Sequence, residues 1–131
     1  MRILITGATG FVGKTLIPYL ISKGVNDLVL LVRNLDKTKA MFINESVEMI
    51  TTQSSDWMEQ VKNANPDVTL HLAAFFTGRH DYENVNKLVE ANISFTTFLL
   101  EVLSNTQCQN FINIGTFSTS VRDNKLCLKA L

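Results

Sequence analysis

Three glycines in the run Thr6-Gly7-Ala8-Thr9-Gly10-Phe11-Val12-Gly13 are the first residues whose type and spacing point to chemistry. The run follows a short β-branched segment and opens a segment of helical period, the setting in which a glycine loop receives a dinucleotide. Gly7 would permit a tight turn and Gly10 would let the backbone approach a pyrophosphate without a Cβ in the way. Gly13 would let helix and strand pack closely. Thr9, Phe11 and Val12 complete the loop. The N–H groups at the start of the following helix, with their partial positive charge, would then meet the phosphates. A glycine turn with no ligand is the plainer reading, and the strand before and helix after weigh against it.

In a dinucleotide fold, an acidic residue at the end of the second strand, about 20 residues past the glycines, hydrogen-bonds the ribose hydroxyls and favours NAD. This chain has Arg33 there, with Lys37 and Lys39 close behind. A guanidinium can pair bidentately with a 2′-phosphate, so the expected cofactor is NADP, with NAD as the alternative. Ordinary solvated charges are the competing reading.

Other candidates read more plainly. Tyr19-Leu-Ile-Ser-Lys23 has a spacing that could pair a phenol with an ammonium, but Tyr19 falls on the apolar stripe of the first helix and Lys23 near its end. A core tyrosine and a helix-end lysine explain both. Tyr82 has Asn86 four residues on. His71 is expected as a packed, hydrogen-bonded histidine, and no cluster of Cys, His and carboxylates accompanies it that would bind a metal. His80 lies on the loop after the fourth strand, where substrates approach open α/β sheets. Trp57 and Phe75-Phe76 are expected in the core or in an adenine pocket.

The elements that must position these residues alternate between strand-length apolar runs and longer segments of helical period, the signature of βαβ units around a parallel sheet with both faces buried. Strands are predicted over residues 2–6, 27–32, 47–51, 68–72 and 110–114. Helices are predicted over 11–23, with Val12, Leu16, Tyr19 and Leu20 inward and a kink at Pro18, and over 35–42, 57–64 and 83–103. The last carries two apolar stripes, Val85, Leu88, Val89, Ile93, Leu100 and Leu103 on one side and Ala91, Phe95, Phe98 and Val102 on the other. One stripe would pack on the sheet. The other needs a second domain or a partner subunit, unless the two form one broad core-facing stripe.

The 131 residues are 46% hydrophobic and 18% charged, with 12 basic side chains matched by 12 acidic ones. That suits one compact domain, which at this length buries roughly two-thirds of its unfolded surface. Zero net charge and no basic stripe argue against nucleic acid as a partner. Cys108 and Cys127, with no paired spacing and no secretory segment, suggest a reducing, cytoplasmic setting. No apolar run reaches the roughly 18 residues of a membrane span.

The threonine-led Gly-x-x-Gly-x-x-Gly loop resembles that of the short-chain dehydrogenase/reductase superfamily, in particular its extended branch of nucleotide-sugar epimerases, dehydratases and reductases. His71-Leu72-Ala73-Ala74 resembles that branch's strand-four motif, which implies that Leu72, Ala73 and Ala74 border the cofactor. Ala91-Asn92-Ile93, with Phe98-Leu99-Leu100-Glu101, resembles its helix with a buried asparagine. There Asn92 would hold backbone or water near the cofactor, and a buried amide must find partners. Asn110-Phe111-Ile112-Asn113-Ile114-Gly115-Thr116 resembles the segment ending at the catalytic Ser/Thr, which implies Thr116 in that role. The implied fold is α/β, a Rossmann-type doubly wound parallel sheet of which about five strands are visible.

In that family a Tyr-x-x-x-Lys pair is the acid/base, its tyrosine lowered from a pKa near 10 by the lysine and the cofactor. No tyrosine follows Thr116, and Phe117 to Val121 departs from the family's usual Val-Tyr-Gly. Residues 1–131 are therefore expected to be a truncated dinucleotide-binding domain. It would be the NADP(H)-binding N-terminal part of a nucleotide-sugar oxidoreductase, epimerase or dehydratase, with sugar 4-ketoreductases foremost, and inactive alone. A non-enzymatic NAD(P)-binding regulatory module is the alternative, and homodimerisation through the helix over 83–103 is expected. A truncated product that self-associates through exposed core surface is the third reading.

Overall fold

A computed structural model describes residues 1–78, 81–114, 119–122 and 125–128, the last two stretches as backbone. Five parallel strands, β1 (Ile3–Thr6), β2 (Leu28–Val32), β3 (Glu48–Thr51), β4 (Val68–His71) and β5 (Asn110–Asn113), form one sheet in the order β3-β2-β1-β4-β5. The connections are α1 (Gly13–Ser22), α2 (Leu35–Met41), α3 (Trp57–Ala64) and a long helical segment before β5. Strand order reverses between β1 and β4, so a crevice opens at their carboxyl ends. A separate antiparallel pair, β6 (Thr119–Arg122) with β7 (Lys125–Leu128), was not anticipated from the sequence.

Alternating residues of the central strands feed two cores. Ile3, Ile5, Leu28 and Leu30 pack with Ile17 of α1 on one face, while Leu4, Val29, Leu31 and Ile50 pack with Val61 of α3 and Leu99 and Val102 on the other. Every residue of β2 is buried, as a central parallel strand requires. The edge strand β5 departs from the expectation of two buried faces: Phe111 packs inward, whereas Ile112 and Ile114 are exposed. Arg2, expected in β1, precedes it and pairs with Asp27 at 3.1 Å and with Glu48.

Two helices differ instructively from expectation. In α1 the fully buried residue is Ile17, and Tyr19 is 56% exposed, so Tyr19 is not a core residue. The buried face follows Gly13 and Ile17, because Gly13 alone lets the helix start close against the loop. The helix runs unbroken across Pro18. The predicted helix over 83–103 is instead α4 (Tyr82–Val89), a π-helical turn (Glu90–Ser94) and α5 (Phe95–Leu103). A π turn bonds i to i+5 and inserts an extra residue, so stripes drawn at 3.6 residues per turn lose phase across it. Within α5 itself the expected stripes also split, for Leu103 is buried with Leu99 and Val102, whereas Phe98 is exposed, as are Val85, Val89, Ile93 and Leu100.

Candidate functional site

β1 ends at Thr6, and Gly7 turns the chain with φ +71°. A Cβ on Gly7 would stand 2.6 Å from the Ala73 nitrogen and 2.7 Å from the Leu72 oxygen. Gly7 is thus needed for both the turn and the backbone contact with the end of β4. A Cβ on Gly13 would lie 2.5 Å from the Gly7 oxygen and 2.6 Å from that of Ala8, so Gly13 seats α1 on the loop itself. Gly10 meets only the Gly7 oxygen, at 3.1 Å, and its other side is open. No side chain caps α1, and the Lys14 and Thr15 N–H groups already donate to the Gly10 and Val12 carbonyls, so the N–H groups left to meet an anion are those of Phe11, Val12 and Gly13 at the helix entry.

Gly7, Thr9 and Gly10 border a cleft of about 990 Å³ at the carboxyl ends of β1 to β4. That volume is at the upper end of small-molecule pockets, which run from about 300 to 1,000 Å³. Arg33 lines it just beyond β2, exposed, beside Asn34 and Lys37. The Asn34 Oδ1 accepts the Lys37 N–H at 2.8 Å and so caps α2, which places both residues at the rim. Lys39 is elsewhere, in a shallow groove with Phe42 and Met49. Leu72, Ala73 and Ala74 form the floor after β4.

The far wall was only partly legible. Trp57 of α3 and Phe95 of α5 line it with ring centroids 6.0 Å apart, joined by Met58 and Phe98. Thr52 and Gln53, just after β3, and Lys87 and Glu90 complete the rim. Their place past a strand end or on the long helix was the only sequence signal for them. The Lys87 ammonium is 2.6 Å from the Glu83 carboxylate, which holds it above its ordinary pKa.

Three residues support the cleft without lining it. Asn92, in the π turn, accepts the Phe75 N–H and donates to the Phe75 carbonyl, both at 2.8 Å. The partners expected for its amide are there, but Asn92 is exposed rather than buried, because the π turn swings it out from the sheet toward the loop. His71 is 3% exposed, and burial pushes its imidazole below its ordinary pKa. Thr6 Oγ1 accepts the Ala73 N–H at 3.1 Å and lies 2.9 Å from His71 Nδ1.

Of the other expected cofactor residues, Phe11 is 83% exposed at the loop tip with the Lys14 ammonium 5.5 Å from its ring, and Val12 is the exposed residue before α1. Thr116 and His80 lie outside the described residues. Tyr19 and Lys23 form a surface pair on α1 away from the cleft, the ammonium 5.5 Å from the ring, so they take no part in the site. No group of three or more His, Cys, Asp or Glu that could hold a metal ion occurs among the described residues. None of their helices is long and apolar enough to cross a membrane.

The model of the NAD dependent epimerase/dehydratase family matches residues 3–124. A dTDP-D-glucose 4,6-dehydratase of Dictyostelium discoideum is 28% identical over 88% of this chain and 29% of its own length. A CDP-abequose synthase of Yersinia pseudotuberculosis is 27% identical over 89% of this chain and 40% of its own. The crystal structure of a UDP-glucuronic acid 4-epimerase from Bacillus cereus in complex with NAD superposes with a TM-score of 0.68, at 25% identity, over 88% of this chain and 40% of that one. The chain thus spans less than half the length of each of these relatives.

Proposed function

The chain belongs to the NAD dependent epimerase/dehydratase family, and we propose that it is the NADP(H)-binding N-terminal part of a nucleotide-sugar oxidoreductase, epimerase or dehydratase, with a sugar 4-ketoreductase as the specific reading. The observation that carries the cofactor choice is Arg33 on the cleft rim with Lys37 beside it. In this reading the open side of Gly10 and the N–H groups of Phe11, Val12 and Gly13 at the entry to α1 hold the pyrophosphate, and Arg33 and Lys37 hold the 2′-phosphate. Trp57 and Phe95 supply apolar ring surface for the adenine. When bound, the nicotinamide supplies a hydride donor or acceptor. Ala73 and Ala74 keep the floor small, and Asn92 fixes the backbone at Phe75 next to it.

Thr116 would hold the substrate oxygen. The sequence carries no Tyr-x-x-x-Lys after β5, so the 131 residues are expected to bind nucleotide without turning over a nucleotide sugar. The basic Arg33 on the rim equally suits the second reading, an NAD(P)-binding regulatory module. The exposed apolar side of α4 and α5 suits a homodimer.

The test is a fluorescence titration of the purified chain with NADPH and NADH. Wild type is expected to prefer NADPH, and Arg33→Asp to lower the preference by about tenfold or more, some 1.4 kcal/mol. An unchanged ratio would sink the NADP assignment. Reduction of a nucleotide sugar by the 131-residue protein would overturn the expected inactivity.

A further inference from the structure

Thr6 and His71 are direct partners in the β1–β4 register, so their side chains leave the sheet on the same face, the one that α5 covers. His71 Nδ1 lies 2.9 Å from Thr6 Oγ1, and His71 Nε2 lies 3.1 Å from Thr96 Oγ1 on α5. The rings of Phe95 and Phe111 flank the imidazole, with centroids at 5.9 and 5.5 Å. A neutral imidazole has one donor and one acceptor nitrogen. The polarity here follows from Ala73, whose N–H can only donate and does so to Thr6 Oγ1 at 3.1 Å. The Thr6 proton has no other acceptor than Nδ1 among the described residues. Nδ1 therefore accepts from Thr6, and Nε2–H donates to Thr96.

This chain of bonds joins three elements that carry the cleft: Thr6 precedes Gly7, Ala73 is on the floor, and Thr96 follows Phe95. At Gly7 the loop already touches the β4 end so closely that a Cβ would stand 2.6 Å from the Ala73 nitrogen. There is no slack to absorb a displacement of Thr6. We propose that His71, held as the Nε2–H tautomer between Thr6 and Thr96, is a positioning residue that ties α5 to the glycine loop and sets the cleft for nucleotide. The affinity part of this rests on the NADP(H) reading of the cleft. The tautomer part does not.

The test uses the full 131-residue chain. Nitrogen-15 correlation spectra of the imidazole at pH 7 are expected to show Nε2 protonated and Nδ1 bare. Thr96→Val removes the acceptor and is expected to shift the ring toward the Nδ1–H tautomer. It should weaken NADPH binding by about fivefold, measured well below the thermal midpoints of both proteins, with Thr96→Ser restoring both. An Nδ1–H ring or an imidazolium in the wild type overturns the proposal. So does wild-type NADPH affinity in Thr96→Val. If Thr96→Val does not fold, Thr96→Ala removes the same acceptor and carries the same two readouts. If wild type binds neither NADPH nor NADH, the cofactor reading fails, and the tautomer spectra alone decide the role of His71.

Discussion

At Gly7 two separate constraints fall on one residue, a positive φ and a backbone neighbour where a side chain would go, whereas Gly24 has φ +83° with open space around it. The pair makes a clean comparison. Gly24→Ala meets only the conformational penalty, about 1–2 kcal/mol. Gly7→Ala meets the same penalty and must also push the loop off Ala73, for a loss of about 3 kcal/mol or more. Urea midpoints measure both, and equal losses would show that the loop yields easily. The glycine spacing was legible from the sequence because it reflects a backbone requirement. The partner of Gly7 was not, because Ala73 is brought there by the pairing of β1 with β4.

Among the elements, the long helix shows how a local irregularity carries function. Its π turn places Asn92 where its amide holds both backbone groups of Phe75, bridging α4 and α5 to the loop after β4. Asn92→Ala removes both bonds at an exposed site, so a loss of about 1–2 kcal/mol is expected, with faster amide hydrogen exchange at Phe75 than at Leu99. Unchanged exchange at Phe75 would mean that the loop is held by other contacts. The existence and length of this helix followed from its apolar periodicity. The π turn did not, since an inserted residue shifts the phase of the stripes without changing the composition of either half.

For the molecule as a whole, zero net charge coincides with an uncovered apolar side on the long helical segment, where Ile93 is 60% and Leu100 45% exposed. Low charge removes repulsion between copies, and exposed apolar area rewards contact. If the homodimer reading holds, wild type sediments as a dimer and the double variant Val89→Glu, Ile93→Glu as a monomer with an unchanged thermal midpoint. Association that persists in the variant would place the interface elsewhere. The sequence by itself determined the alternation of strands and helices, the glycine loop, the basic residues after β2 and two apolar sides on the last helix, because each is encoded by residues near one another in the chain. Tertiary structure decided which side of that helix is buried, which aromatic rings wall the cleft and which hydroxyls hold His71. Such contacts join residues far apart in the chain, Thr6 and His71 being 65 positions apart. Only the order of strands in the sheet brings them together.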